Sequence, residues 1–462
     1  MDFSAANTAL WNPIIQIGII ALLILAANVL RRKISLVQKS MLPTAVIAGF
    51  ILLVIRQFNI LPIDATFMEM LTYHALGIGF IAMSLRTPSK EVESEPMIGM
   101  RSGALIVSTY LIQAVVGLVI AIGLAYTVMP DLFKASGLLL PMAYGQGPGQ
   151  ANNVGSTYEA LGMVGGRSFG LSLAAMGYLC ACIVGVILLN VLTKSKKFER
   201  VSHDEVSGSV TIDTYQDQNE IPIQESIDKL SIQVALVVGL YLITFLVTWG
   251  ITGLIGMASE TLALTVSALL WGFNFIIGAG VAIACRSIFK KLRSAKIMNR
   301  QYQNNYLLSR ISGLAFDVMI VSGIAGIEIN DLKGYILPFV LMAVAGGAVT
   351  MFWLWWLSGK LYPTYKYEGF ISMYGMLTGT VSSGVLLLRE LDPMMKTPAA
   401  NNLVLGSSFG IIFGAPVLIL VSLAAQSDLM AFVTLGLVIL YLAILLLIIF
   451  KVGNKKKAKK AA

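Results

Sequence analysis

The segment LLLPMAYGQGPGQANNVGSTYEALGMVGGRSFG, residues 138–170, decides the fold, because it sets glycine, proline and uncharged polar residues between two strongly apolar runs. A second segment, SMYGMLTGTVSSGVLLLRELDP at residues 372–393, has the same character. This composition predicts broken helix at membrane depth, which is tolerated only inside protein or beside water. The segments share a Tyr-Gly pair, a following glycine and a later Ser-Phe-Gly triplet: Tyr144-Gly145, Gly149 and residues 168–170, against Tyr374-Gly375, Gly379 and residues 408–410. We interpret them as an internal repeat.

Composition indicates a polytopic membrane protein of the all-α class. Of the 462 residues, 57% are hydrophobic and only 12% are charged, which is more apolar surface than a soluble protein buries. The formal net charge of +9 comes from short basic runs beside the apolar spans, so it indicates membrane topology and not a nucleic-acid partner. There is no HExxH motif and no His/Cys cluster with metal-ligand spacing, so we expect neither an enzyme nor a bound cofactor.

The apolar runs predict eleven transmembrane spans, since about 20 helical residues cross a bilayer. The first repeat, residues 1–192, holds five spans and a re-entrant loop at about 138–165 between its fourth and fifth spans. A solvated cytoplasmic linker is predicted at 193–231, the second repeat at 232–424 with its loop at about 370–395, and an extra helix with a basic tail at 425–462. The predicted spans are 10–30, 41–55, 68–85, 102–129 and 167–192, then 232–257, 262–285, 307–327, 335–357 and 401–424, and finally 429–450.

Charge sets the predicted orientation. With the N-terminus outside and the C-terminus in the cytoplasm, only Arg56, Lys134 and Lys333 fall in outer loops, as the positive-inside rule requires. A repeat with five spans then lies upside down relative to its copy. The two loops therefore enter from opposite sides, which is the arrangement that secondary transporters use for alternating access.

The broken segments supply groups that bind ions. A helix break exposes carbonyl groups, which suit Na⁺, and N–H groups, which suit a carboxylate. Side-chain oxygens add ligands for a hard cation, and we place Na⁺ near Asn152, Asn153, Thr378, Thr380 and Ser382. The remaining predicted substrate- and ion-binding residues are Gln146, Gly147, Gly149, Gln150, Ser156, Thr157, Gly379, Ser383, Arg389 and Asp317.

Three alternatives stay open at this stage. Small residues also permit close helix packing in a bilayer. Asp317, in the middle of an apolar span, takes part either in ion coupling or in a structural hydrogen bond or ion pair. Arg389 is either the counter-ion of a substrate carboxylate or part of a capping cluster with Glu390 and Asp392.

The chain resembles the bacterial glutamate:sodium symporter family, which is related in fold to the 2-hydroxycarboxylate carriers. The resemblance spans both repeats and is most specific at AYGQGPGQA, residues 143–151, and MLTGTVSSGVLLLRELDP, residues 376–393. It implies a homodimeric carrier of the bacterial cytoplasmic membrane that couples Na⁺ entry to glutamate uptake. Better-known members carry a Gly-His-Gly-Thr type sequence where this chain has Gly145-Gln146-Gly147-Pro148, so another amino or dicarboxylic acid stays open as the substrate.

These observations predict a secondary active transporter for sodium-coupled symport of glutamate or a related anionic acid. The predicted partners are this small anion, Na⁺ as the coupling ion and the lipid bilayer. Two alternatives remain, an ion channel with re-entrant filter loops and a carrier for a different organic anion.

Overall fold

The computed structural model describes residues 2–35, 37, 42–87, 96–194, 229–258, 267, 270–272, 274–392 and 397–451. Within these ranges the chain forms helices joined by short connections, without a β-strand. Residues 195–228 of the predicted linker, and the basic tail beyond residue 451, lie outside the described residues. The all-helical prediction is confirmed for the described part of the chain.

The first half of the chain forms four long or medium helices, an interrupted region and two further helices. The interrupted region begins with a 3₁₀ turn, Lys134–Leu138, and a π-helical turn, Pro141–Gly145. The helices are α1 (Thr8–Lys33), α2 (Thr44–Gln57), α3 (Ala65–Leu85), α4 (Pro96–Ala125), α5 (Pro148–Ala160) and α6 (Gly166–Lys194).

The second half follows the same order of long helices and interruption. A short 3₁₀ turn, Ile329–Leu332, precedes its fourth long helix. The helices are α7 (Lys229–Ala258), α8 (Asn274–Ser294), α9 (Asn305–Ala325), α10 (Ile336–Leu361), α11 (Lys366–Thr378), α12 (Val381–Leu391), α13 (Ala399–Ala424) and α14 (Asp428–Lys451).

Each of the eleven predicted spans coincides with a described helix, although the seventh is described as a helix only from Asn274. Within the described ranges, nine helices are long and apolar enough to cross a membrane. Thr44–Gln57 is apolar but shorter. This is the pattern of a multi-pass helical membrane protein.

The chain divides into two compact units, and neither unit coincides with one half of the sequence. The first contains α1, α2, α4 to α6 and α10 to α14, with α3 up to Glu69 and α9 from Ile320. Its organising helix is α4, which packs against α10, α13, α14 and the turns that precede α5. A close backbone approach joins Gly117 of α4 to Gly137, because a Cβ on Gly117 would lie 2.0 Å from the Gly137 carbonyl oxygen.

The second unit contains α3 from Met70, α7, α8 and α9 up to Met319. Polar contacts reinforce its apolar core. Gln233 of α7 donates to the Tyr302 carbonyl at 2.8 Å, and Arg286 of α8 donates to the Arg86 carbonyl at 2.8 Å, beyond the end of α3. The buried core side chains are Ile81, Ala82, Leu85, Val237, Leu240, Ala282 and Leu308.

Candidate functional site

The first helix break lies at Gln146 and Gly147, directly before α5. Gly147 has φ 88° and ψ −177°, a conformation that is nearly restricted to glycine. Pro148 follows as the first helical residue, where its missing N–H is not needed. The helix break predicted within residues 138–170 is therefore present at Gln146 and Gly147, and the chain is helical again from Pro148. Gly149 lies inside the first turn of α5.

The second helix break lies at Gly379 and Thr380, between α11 and α12. Gly379 has φ −133° and ψ −105°, and Thr380 is extended, with φ −142° and ψ 171°. This short connection turns the chain back on itself. A Cβ on Gly375 of α11 would lie 2.9 Å from the Cα of Gly384 in α12. By its place at the break, Gly379 therefore corresponds to Gly147. The sequence repeat instead pairs Gly379 with Gly149, which lies two residues later than Gly147.

Both breaks present helix ends inside the protein. The first helical N–H groups of α5 and α12 have no intrahelical partner, and the cap residues Gly147 and Thr380 close neither end with a side-chain hydrogen bond. These ends carry partial positive charge, and the C-terminal end of α11 carries partial negative charge. No charged residue lies in the sequence between Lys134 and Glu159 or between Glu368 and Arg389, so neither segment supplies a charge of its own next to its break.

Several predicted site residues have buried polar atoms with no hydrogen-bond partner among the described residues. Gln150 is fully buried with both amide atoms in this state, and Asn152 has an unpartnered Oδ1. In the second break the same holds for the hydroxyl groups of Thr380 and Ser383. Buried polar groups are normally paired with protein, water or a ligand. These atoms therefore are the strongest candidates for contacts with a bound ion or substrate.

Other predicted site residues use their polar hydrogens inside the protein. Ser156 donates to Oε1 of Glu69 at 2.8 Å, Thr157 donates to the Asn153 carbonyl at 2.9 Å, and Thr378 donates to the Tyr374 carbonyl at 2.7 Å. Gln146 is half-buried, and its amide nitrogen lies 3.7 Å from the Met142 sulfur. Asn153 is buried, and the side chain of Ser382 lies outside the described residues.

The structure does not bring Arg389 to the breaks. Arg389 is exposed in the last turn of α12, nine residues beyond Thr380, which corresponds to about 13 Å along the helix. Its predicted role as counter-ion at the break is not supported by this position. Asp317 lies in α9, in the second unit, with an exposed side chain.

Helix α6 contacts the residues that precede both breaks. A Cβ on Gly177 would stand 2.3 Å from the Thr378 carbonyl oxygen and 3.3 Å from the Tyr144 ring. Tyr144 itself donates to the Ala343 carbonyl at 2.7 Å and lies 3.4 Å from the Cys180 sulfur. The Tyr-Gly pair of the first segment is therefore packed beside the end of α11.

Sequence reasoning missed Gln113 of α4. This side chain is fully buried and donates to the Leu377 carbonyl at 3.0 Å and to the Thr350 hydroxyl at 2.8 Å. The available signal was a glutamine in an otherwise apolar span, since polar side chains are rare within membranes unless they serve a structure or a site.

A second missed feature is an ion pair between Arg167, at the start of α6, and Glu69 of α3. Glu69 also accepts the Ser156 hydrogen bond, and Glu159 accepts from the Arg167 backbone N–H at 2.9 Å. These contacts tie the end of α5 to the start of α6. In the described part of the chain, no group of three or more His, Cys, Asp or Glu side chains is arranged to hold a metal ion.

No protein-family model matches the chain, and no curated protein matches its sequence. The resemblance to the glutamate:sodium symporters therefore stays a prediction, carried by residues 143–151 and 376–393.

Proposed function

We propose that this protein is a secondary active transporter that couples Na⁺ entry to uptake of glutamate or a related anionic amino or dicarboxylic acid by alternating access. One observation carries the proposal. Two helix breaks, at Gly147 and at Gly379-Thr380, lie in one unit with their flanking turns packed on α6, and the helices beside them carry buried polar atoms without protein partners in the described part. Broken helices with polar linings at membrane depth are how secondary transporters bind their solutes.

Na⁺ is the coupling ion in this proposal. Hard cations prefer oxygen ligands, and the C-terminal end of α11 presents backbone carbonyls with partial negative charge. Thr380 and Ser383 add hydroxyl oxygens and Asn152 adds an amide oxygen, all of them buried. The hydroxyl of Thr378 donates its hydrogen to Tyr374, which leaves its oxygen lone pairs able to face a cation.

The anionic substrate is assigned to the helix N-termini. The starts of α5 and α12 offer backbone N–H groups and partial positive charge to a carboxylate. The amide of Gln150, fully buried in the first turn of α5, adds both a donor and an acceptor. Arg389 is left out of this assignment, because it lies at the opposite end of α12.

The inverted repeat is part of the proposal. Each break falls between the fourth and fifth long helices of its half, that is between α4 and α6 and between α10 and α13. Close glycine contacts occur at both regions: Gly155 of α5 packs against Gly166 at the start of α6, after the first break, and Gly375 of α11 packs against Gly384 of α12, across the second break. We propose that the two loops re-enter the membrane from opposite sides, in a homodimer of the bacterial cytoplasmic membrane with its N-terminus outside.

The departure from the family sequence at Gly145 to Pro148 favours a second candidate, a carrier for a different organic anion. Competition tests this. Purified protein in liposomes takes up labelled L-glutamate under a Na⁺ gradient, with a tenfold excess of unlabelled L-aspartate, succinate, L-malate or L-glutamine. We expect one or more acids to compete and neutral L-glutamine not to compete. Equal competition by L-glutamine would contradict an anionic substrate, and flux without saturation would favour a channel.

A further inference from the structure

Gln113 connects the two breaks from a helix that belongs to neither. It lies near the middle of α4, in the run TYLIQAVVG, and is fully buried. Its amide contacts α10 through Thr350 and α11 through Leu377. On its other side, a Cβ added to Gly145, just before the first break, would lie 3.1 Å from Oε1 of Gln113. One side chain therefore bonds the end of α11 and lies close to the residue that precedes the first break.

The orientation of this amide follows from its partners. The Thr350 hydroxyl donates its hydrogen to the Gly346 carbonyl at 2.7 Å, so towards Gln113 it can only accept. The Leu377 carbonyl can also only accept. The nitrogen of Gln113 must therefore face both groups, and its oxygen must face Gly145. The reverse orientation would place three acceptors together inside the protein.

The hydrogen bond to Leu377 replaces one that the break removes. In a continuous helix the Leu377 carbonyl would accept from the N–H four residues later, but α11 ends at Thr378. Carbonyls in the last turn of a helix need another partner. Gln113 supplies that partner from α4 at 3.0 Å, and it thereby fixes the end of α11 where the second break begins.

We propose that Gln113 is a positioning residue that fixes the Gly379-Thr380 break relative to the Gly145–Gly147 approach, and so sets the affinity of the site for Na⁺. The second clause rests on the proposed function, whereas the first does not. Gln113 acts on the end of α11 through the backbone that it holds, since its amide nitrogen has two protein partners. Its amide oxygen lies near Gly145 and has no hydrogen-bond partner among the described residues.

The test compares Gln113→Leu with Gln233→Leu. Gln233 is a matched control, because it is 1% exposed and donates to a backbone carbonyl at 2.8 Å, yet it belongs to the second unit. The melting temperature of each purified protein is measured while NaCl replaces choline chloride at constant ionic strength. A ligand that binds only the folded state raises this temperature, so the Na⁺ concentration for half of the full rise reports affinity.

We expect Gln113→Leu to raise that Na⁺ concentration at least tenfold, while its melting temperature without Na⁺ falls no further than that of Gln233→Leu. Thr350→Val removes one acceptor and should shift the Na⁺ concentration in the same direction, by about threefold. This milder variant serves if Gln113→Leu does not fold. An unchanged Na⁺ concentration in the folded variants would overturn the link between Gln113 and ion affinity.

Backbone hydrogen exchange separates this inference from the proposed function. If Na⁺ does not stabilise the wild type, Na⁺ coupling is wrong, and Gln113 is judged by exchange alone. Positioning predicts faster exchange in Gln113→Leu at residues 143–151 and 376–384 and no change there in Gln233→Leu. Unchanged exchange at both breaks would overturn the inference, whatever the transported solute.

Discussion

Gly177 of α6 and Thr378 of α11 are in direct backbone contact, because a Cβ on the glycine would stand 2.3 Å from the Thr378 carbonyl oxygen. That atom belongs to the backbone at the second break, so it cannot move aside as a flexible side chain does. The contact explains why α6 carries a glycine at this position, and it joins α6, the second helix after the first break, to α11, the helix that precedes the second break.

Gly177→Ala should therefore displace the end of α11 and reduce Na⁺-driven uptake at least tenfold. Gly123→Ala is the control, since a Cβ at Gly123 in α4 meets nothing within 4 Å. Initial uptake rates, corrected for the amount of protein in the liposomes, measure the effect. Equal rates in the two variants would show that this contact does not govern the site.

Gly147→Ala tests the conformation of the first break without a collision. The nearest atom to an added Cβ is the Tyr178 hydroxyl oxygen at 4.0 Å, but φ is 88°, which costs a non-glycine residue about 1–3 kcal/mol. We expect a lower melting temperature and lower uptake. Gly239→Ala in α7 has open space and no positive φ, so it should leave uptake unchanged and should not lower the melting temperature, because alanine favours a helix more than glycine does. Full activity of Gly147→Ala would mean that the break tolerates another conformation.

The variants Thr380→Val and Ser383→Ala should weaken Na⁺ binding without lowering the stability of the protein. Each change removes a buried hydroxyl that has no partner in the described part of the chain, and removing such a group is neutral or stabilising. If these hydroxyls face Na⁺, both variants should keep their Na⁺-free melting temperature and need several-fold more Na⁺ for half-maximal uptake. Thr434→Val in α14 is the matched control, because the Thr434 hydroxyl is equally buried and unpartnered in the described structure. Its Na⁺ dependence should equal that of the wild type.

The interaction free energy between Arg167 and Glu69 should be larger than that between Lys134 and Asp428. The side chains of Arg167 and Glu69 are 17% and 32% exposed, whereas Lys134 is 13% and Asp428 is 71% exposed, so one end of the second pair lies in solvent. Exposed pairs contribute about 0–1 kcal/mol, and contacts in a shared network couple by about 0.5–3 kcal/mol. Double-mutant cycles to Gln or Met, read by thermal unfolding, measure both couplings. Equal couplings would mean that the Arg167 network adds nothing to a surface pair.

The helical spans were predictable from sequence because hydrophobic length fixes where a helix can cross a bilayer. The interruption before α5 was predictable too, since glycines flank Pro148 in an apolar context. Its exact place was not, because the choice between Gly147 and Gly149 depends on which residue the packed structure holds at positive φ.

The neighbours of the breaks were beyond sequence reasoning. Gln113 and Gly177 lie far along the chain from Leu377 and Thr378, and only the packing of α4, α6 and α11 brings them together. For Arg389, the sequence favoured a role that its place in the structure does not support. Its charge and its place in the second segment favoured a role at the site, but α12 continues to Leu391 and carries it to the far end of the helix.

Uptake of labelled L-glutamate and labelled succinate into proteoliposomes tests the central proposal most directly. An inward Na⁺ gradient is compared with an inward choline gradient of equal ionic strength, in liposomes with and without the protein. We predict saturable accumulation of at least one acid above its external concentration, only with Na⁺ and only with the protein. Accumulation that is the same with choline, or flux that never exceeds equilibration, would contradict sodium-coupled symport.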